Sequence, residues 1–279
     1  MKNVTIAFIG AGHMATALID GLLKAGHPPT HIYASCRTES RLVHLQQTRG
    51  IQITTDNNLL ASKADILFLA IKPKQFSTVL PSIASTVKQR LPLLISVAAS
   101  VEETVIRRYL SNPASNIIRV RAMPNTPVAF GQGITALYSH SATTSEKETA
   151  EKLFLRLGTA CWLDNEQQMQ AVTALSGSGP AYFFTLMNAL ETAATAANLP
   201  RALARLLINQ TAVGAAQTAL SSSYTTAELC EHVASPGGGT EAALSSLADN
   251  QFVTTVVKAF NAAYQHYNTT LGSVDNSLG

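Results

Sequence analysis

The sequence predicts an α/β chain, with an N-terminal doubly wound parallel sheet followed by an all-helical C-terminal half. Three observations predict it. Short β-rich runs alternate with helical ones along the first 165 residues, the pattern of parallel strands joined by crossover helices. A glycine-rich turn follows the first of those runs. After Trp162-Leu163-Asp164-Asn165 the β-branched runs give way to Ala-rich helical patterns. A chain of 279 residues exceeds one usual core, so two domains are expected, residues 1–164 and 165–279.

The first strand is the apolar run from Val4 to Ile9, and the turn is Gly10-Ala11-Gly12-His13-Met14-Ala15. Ala17, Leu18, Gly21 and Leu22 then set a helical pattern. Strand, glycine turn and helix in this order form the dinucleotide fingerprint of a Rossmann domain, with Ala15 as the small third residue. Gly10, Gly12, His13 and Met14 are therefore candidate cofactor contacts. His13 stands either near a pyrophosphate or in water at the first helical turn.

The second strand, His31 to Ser35, runs into Ser35-Cys36-Arg37-Thr38. A carboxylate at its end would accept from the ribose 2′-hydroxyl of NAD, and none is there. Hydroxyls and the Arg37 guanidinium suit a 2′-phosphate instead. NADPH is the expected cofactor, with NADH weaker; the alternative is that Arg37 is an ordinary solvated residue.

Further strands are expected at Ile51 to Thr54, Ile66 to Ile71, Leu93 to Val97, Ile117 to Val120, Ile134 to Tyr138 and Ala160 to Leu163. Ligands of doubly wound sheets lie beyond the carboxyl ends of the strands. Three segments fall there: Leu69-Ala70-Ile71-Lys72-Pro73, Ser96-Val97-Ala98-Ala99-Ser100, and Arg121-Ala122-Met123-Pro124-Asn125-Thr126-Pro127. In the last, two prolines restrict Met123 and Asn125, and a rigid loop suits the nicotinamide end of a cofactor. Lys72 is either a solvated lysine or one near a phosphate.

Helices are expected at Ala181 to Ala197, Arg201 to Ser221, Ala242 to Ala248 and Phe252 to Tyr267. They are apolar on more than one face and so need more than one partner. Residues 165–279 are accordingly expected to form a homodimer. Ser176-Gly177-Ser178-Gly179-Pro180-Ala181-Tyr182 reads as a helix start with Pro180 in the first turn, as a loop closing the active site, or as both. In Ser235-Pro236-Gly237-Gly238-Gly239-Thr240, consecutive backbone N–H groups before a helix make a cup for one carboxylate. Thr240 adds a hydroxyl that donates and accepts.

A net charge of +3 with 13% charged residues gives no strongly basic face, so nucleic acid is not an expected partner. Cys36, Cys161 and Cys230 are too far apart for a paired metal motif, and free thiols fit a reducing compartment. No signal peptide is read at the N-terminus and no apolar stretch is long enough for a membrane span. A cytoplasmic protein is expected.

Taken together, these motifs resemble the pyrroline-5-carboxylate reductase family, which catalyses the last step of proline biosynthesis. The resemblance runs in order through Gly10-Ala11-Gly12, Ala70-Ile71-Lys72-Pro73, Met123-Pro124-Asn125-Thr126-Pro127, Ser176 to Tyr182 and Ser235 to Thr240. It implies a Rossmann domain, an all-helical dimerisation domain, NADPH as hydride donor, and dimers that often assemble into larger rings. It further implies that Asn57 touches the adenosine ribose, that Ala70 and Lys72 touch the cofactor, and that Gly237, Gly238, Gly239 and Thr240 hold the substrate; Ser178, in the closing loop, is a further candidate for binding the substrate. Ser100 and Gly239 depart from the residues usual in the family.

The chemistry expected is hydride transfer to a cyclic imine bearing one carboxylate. The carboxylate docks on the Gly237 to Gly239 N–H groups, and Thr240 hydrogen-bonds the ring nitrogen. Positioning alone removes on the order of 7 to 11 kcal/mol from such a barrier. A 3-hydroxyacid-type dehydrogenase would carry a catalytic lysine on its helical domain, yet Lys258 is the only lysine after Asn165. A non-catalytic NADP sensor would have no use for a carboxylate cup.

Overall fold

In the computed structural model, residues 3–110 and 119–276 are described, with side chains through residue 270. By contacts the chain divides into one unit of Met1–Pro180 with Ala263–Gly279, and a second of Ala181–Ala262.

The first unit holds an eight-stranded sheet in the order β3-β2-β1-β4-β5-β6-β7-β8. Its strands are β1 (Ile6–Ile9), β2 (Ile32–Ser35), β3 (Gln52–Thr54), β4 (Ile66–Leu69), β5 (Leu93–Ser96), β6 (Arg119–Pro124), β7 (Gly133–Tyr138) and β8 (Gly158–Trp162). β1, β4 and β5 are buried at every position, as a parallel strand covered on both faces must be. Odd and even positions then feed two cores. Ile6, Phe8, Ile32, Phe68 and Ile95 pack with Leu18, Leu22, Leu42 and Phe154, residues of helices α1 (His13–Lys24), α2 (Glu39–Arg49) and α6 (Thr144–Phe154). Ala7, Ile9, Leu67, Leu69 and Leu94 pack with Leu60, Leu80, Ile83 and Ile106, from α3 (Asn57–Lys63), α4 (Phe76–Arg90) and α5 (Glu103–Tyr109). Phe8 stacks on Phe68 with ring centroids 4.6 Å apart.

One pair departs from the parallel sheet expected: β6 and β7 run antiparallel. The connection between them is a short 3-10 turn, Thr126–Phe130, and a parallel return would need a crossover of a dozen or more residues. α1 lies close against that turn, because a Cβ on Gly21 would come within 2.2 Å of the Val128 carbonyl oxygen. The observed strands are otherwise close to those expected. Of the run Ile117 to Val120, residues 117 and 118 lie outside the described residues, and β6 continues on to Pro124.

After β8 come α7 (Gln168–Val172) and a π-helical turn, Thr173–Gly177. Met169 of α7 packs with Met123 and Ala136 of the sheet, which is why the contact division falls at Pro180 and not at the shift in composition.

Helices continue with α8 (Gly179–Ala196), α9 (Arg201–Ser221), α10 (Thr226–Val233), α11 (Gly239–Asp249) and α12 (Phe252–Asn276). α10 has no counterpart among the expected helices, although a capping box marks its start: Thr225 N–H donates to Glu228 Oε2 at 2.7 Å, and Glu228 N–H donates to Thr225 Oγ1 at 3.3 Å. α10 and α11 bury none of their residues, and α9 buries only Ala204. Large apolar side chains stand in the open along these helices, among them Phe183, Leu206, Val213, Leu220 and Val253. Among the described residues no helix is long and apolar enough to cross a membrane.

Candidate active site

The carboxyl end of β1 opens directly into the glycine turn. Gly10 has φ +101°, a left-handed conformation that favours glycine, and its N–H donates to the Ser35 carbonyl at 2.8 Å. A Cβ here would lie 2.3 Å from the Ala70 carbonyl oxygen. Gly12 differs. It caps α1 in an ordinary extended conformation with φ −80°, and a Cβ on it would meet nothing within 4 Å. The protein itself leaves this space free, above the unpaired N–H groups of a helix start with no acid in its first turn. A phosphate fits there.

A cleft of about 300 Å³ extends from this turn over the ends of β1, β2 and β4. Gly10, Gly12, Ser35, Arg37, Asn57, Ala70 and Lys72, all candidates from the sequence, line it. So does Arg41, which the sequence reading missed, in the first turn of α2 and four residues after Arg37. Arg41 Nη1 reaches the Ala11 carbonyl at 3.5 Å. Arg37, Arg41 and Lys72 are in the lining and no Asp or Glu is. Such a wall favours a polyanion.

Asn57 is set in place from two sides. Asp56 caps α3 by accepting from the N–H groups of Asn58 and Leu59 at 2.8 and 3.1 Å, and this starts the helix at Asn57. Ser35, wholly buried at the end of β2, donates its hydroxyl to Asn57 Oδ1 at 2.7 Å. The Ser35 hydroxyl proton is thereby used inside the protein, and Asn57 keeps its amide N–H groups as donors. Lys72 has its backbone N–H fixed by Gln75 Oε1 at 3.0 Å.

Other candidates fall outside this cleft. His13 is exposed at the first position of α1, and half-buried Met14 packs on the core. Met123 and Asn125 are buried. Asn125 donates from Nδ2 to the Ser176 carbonyl at 3.2 Å and accepts at Oδ1 from the Ile134 N–H at 3.0 Å, so its side chain fastens the strand end to the π-helical turn. Ser178, just after that turn, shares a 3.0 Å hydrogen bond with the Tyr267 hydroxyl.

The Ser235 to Thr240 loop belongs to the second unit. Gly237 has φ +73°, and its N–H donates to Glu241 Oε2 at 2.7 Å. The Gly238 N–H donates to the Ser235 carbonyl at 2.9 Å. Two of the N–H groups expected to form the cup are thus already engaged. Gly238 caps α11, and the first-turn N–H groups left for a ligand are those of Gly239, Thr240 and Glu241. Nothing lies within 4 Å of a Cβ placed on Gly239.

A doubly wound sheet, a glycine turn at a helix start and an acid-free cationic cleft define a nicotinamide-nucleotide oxidoreductase. A family model described as NADP oxidoreductase coenzyme F420-dependent matches residues 5–100, and one described as pyrroline-5-carboxylate reductase dimerisation matches residues 166–270. The chain is 41% identical over 266 residues to a pyrroline-5-carboxylate reductase of Pseudomonas aeruginosa, covering 95% of this chain and 96% of that one. It is 37% identical to that of Vibrio alginolyticus, covering 94% and 96%. Among solved structures, the pyrroline-5-carboxylate reductase of Coxiella burnetii aligns with a TM-score of 0.84 at 34% identity, over 96% of this chain and 98% of that one. The Plasmodium falciparum pyrroline carboxylate reductase with NADP bound aligns at 0.87 and 26% identity, over 97% and 99%. The chain belongs to the pyrroline-5-carboxylate reductase family.

Proposed function

We propose that this protein reduces the C5=N bond of 1-pyrroline-5-carboxylate to give L-proline, using NADPH. Family membership over nearly the whole chain supports the reaction. The observation that carries the cofactor preference is the lining of the Gly10–Gly12 cleft, with Arg37, Arg41 and Lys72 and no carboxylate.

The cofactor, when bound, supplies a hydride. The residues present fit it: the free space at Gly12 accepts the pyrophosphate, Arg37 and Arg41 hold the 2′-phosphate, and Asn57 donates to the ribose. Ser35 acts through Asn57, and Ala70 and Lys72 border the path toward the other end. Met123 and Asn125 keep the strand end rigid. Met14 packs the start of α1 onto the core.

For the substrate, the N–H groups of Gly239, Thr240 and Glu241 take the carboxylate, with Gly237 and Gly238 shaping the loop. The Thr240 hydroxyl bonds the ring nitrogen. The bound cofactor would supply the hydride for C5, while the Thr240 hydroxyl would hold the ring nitrogen, which keeps its iminium proton. Residues 1–164 serve as the cofactor domain and 165–279 as the dimerisation and substrate domain.

The protein acts as a homodimer, because the apolar side chains left open on α8, α9 and α12 need a cover. Its free thiols Cys36, Cys161 and Cys230 fit the cytoplasm. The test is loss of reduced-nicotinamide absorbance on mixing protein, NADPH and pyrroline-5-carboxylate, with NADH in parallel. Rapid oxidation favouring NADPH is expected. Folded, NADPH-binding protein that oxidises neither cofactor would overturn the reading.

A further inference from the structure

Arg121 has 1% of its surface exposed and yet carries a charge. Its Nη1 donates to Glu166 Oε1 at 3.0 Å and its Nη2 to the Ala99 carbonyl at 3.2 Å. The same Glu166 oxygen accepts from the Glu103 N–H at 2.8 Å. One guanidinium and one carboxylate therefore hold the β5–α5 connection at two points, Ala99 and Glu103.

Burying a charge is costly even when it is paired, and Arg121 Nε has no partner among the described residues. An apolar side chain would fill the same volume without that cost. What the arginine adds is reach, from β6 to the Ala99 carbonyl.

The place of that carbonyl matters. The sheet order reverses between β1 and β4, and a dinucleotide laid across such a crossover puts its two ends on opposite sides of it. Ser35, Arg37 and Asn57 border the β2 side. The turn from Val97 to Ser100 leaves the carboxyl end of β5, on the other side. Arg121 pairs with Ser96 in register, so it stands beside the base of that turn.

We propose that Arg121 is a positioning residue for the redox end of the cofactor: it fixes the Ala99 turn, against which the nicotinamide is oriented for hydride transfer. The proposal rests on the reductase reading above. It adds a residue that touches neither cofactor nor substrate.

The test compares wild type with Arg121→Met and Arg121→Lys by titrating NADPH and, separately, adenosine 2′,5′-bisphosphate, which carries only the phosphorylated adenosine end. In Arg121→Met the NADPH Kd is expected to weaken about fivefold to tenfold while the fragment's Kd stays within about twofold. Turnover falls about 10-fold to 100-fold, the scale of a misplacement of about 1 Å. Arg121→Lys reaches one partner only and falls between.

Glu166→Gln, which keeps an acceptor where folding needs one, gives the same pattern in smaller measure should the Met variant not fold. Parallel weakening of both ligands means general loosening and overturns the proposal, as does no change in either. Inactive wild type would instead count against the reductase reading, and the two Kd values would still judge Arg121.

Discussion

Gly10 packs on Ala70 so closely that a Cβ would stand 2.3 Å from the Ala70 carbonyl oxygen, at a backbone φ of +101°. Gly10→Ala thus combines backbone strain with a clash against a β4 extension that cannot give way. The expected loss is about 2 to 6 kcal/mol, seen as a Tm lowered by about 5 °C or more. Gly12→Ala, with nothing within 4 Å, should keep its Tm and lose NADPH affinity by about tenfold or more, since its Cβ takes the space of the ligand. Thermal melts with and without NADPH separate the two. Equal behaviour of both variants would remove the ligand role of Gly12.

The proposed preference for NADPH rests on Arg37 and Arg41. Arg37→Ala and Arg41→Ala should each weaken NADPH by about 10-fold to 100-fold, the loss of about 1.5 to 3 kcal/mol for a hydrogen bond to a charged group. NADH, which has no 2′-phosphate, should change by less than about threefold. Steady-state KM values for both cofactors measure this, and an equal loss for each would place the arginines elsewhere on the nucleotide.

Much of this site was legible because its chemistry is local. The strand, glycine turn and helix occupy one stretch, and the missing acid after Ser35 is read directly from the sequence. Arg41 was missed but could have been read, four residues after Arg37 at the start of α2. The antiparallel β7 could have been read from the short Thr126–Phe130 connection, and α10 from Thr225 and Glu228. The Arg121 network was not legible, since Glu103 and Glu166 stand 63 residues apart and no periodicity links them. Nor does the sequence say that Glu241 and Ser235 already engage the N–H groups of Gly237 and Gly238.

Thr240 is expected to orient the imine nitrogen. Thr240→Val should lower kcat by about one to two decades, equivalent to about 1.5 to 3 kcal/mol. Glu241→Ala frees the Gly237 N–H and loosens the loop, so the KM for pyrroline-5-carboxylate should rise severalfold while that for NADPH holds. Unchanged turnover in Thr240→Val would remove its hydroxyl from the mechanism.

Leu206 and Val213 lie two helical turns apart on α9, 65% and 64% exposed. On a monomer, replacing both with Asp would change stability by less than about 1 kcal/mol. In a dimer that buries them, two desolvated charges cost several kcal/mol. Light scattering at micromolar concentration should find the wild type as a dimer or a multiple of it, and the double variant shifted toward monomer. A wild-type monomer would refute the homodimer.

His27 gives the expected pH dependence. It is 2% exposed, and Arg156 Nη1 lies 3.4 Å from its Nδ1, a contact that requires an unprotonated ring nitrogen, since arginine only donates. Burial first, and then the Arg156 charge, hold the imidazole below its ordinary value of 6.5. The unfolded chain takes up a proton near 6.5 that the folded chain refuses, so the unfolded state binds more protons as pH falls. Stability that His27 contributes above about pH 6.5 is therefore lost as pH drops through the folded value. Melts between about pH 7.5 and pH 5 should show a steeper fall in Tm for the wild type than for His27→Gln, which cannot titrate and still accepts from Arg156. Matching slopes would assign the acid sensitivity to other groups.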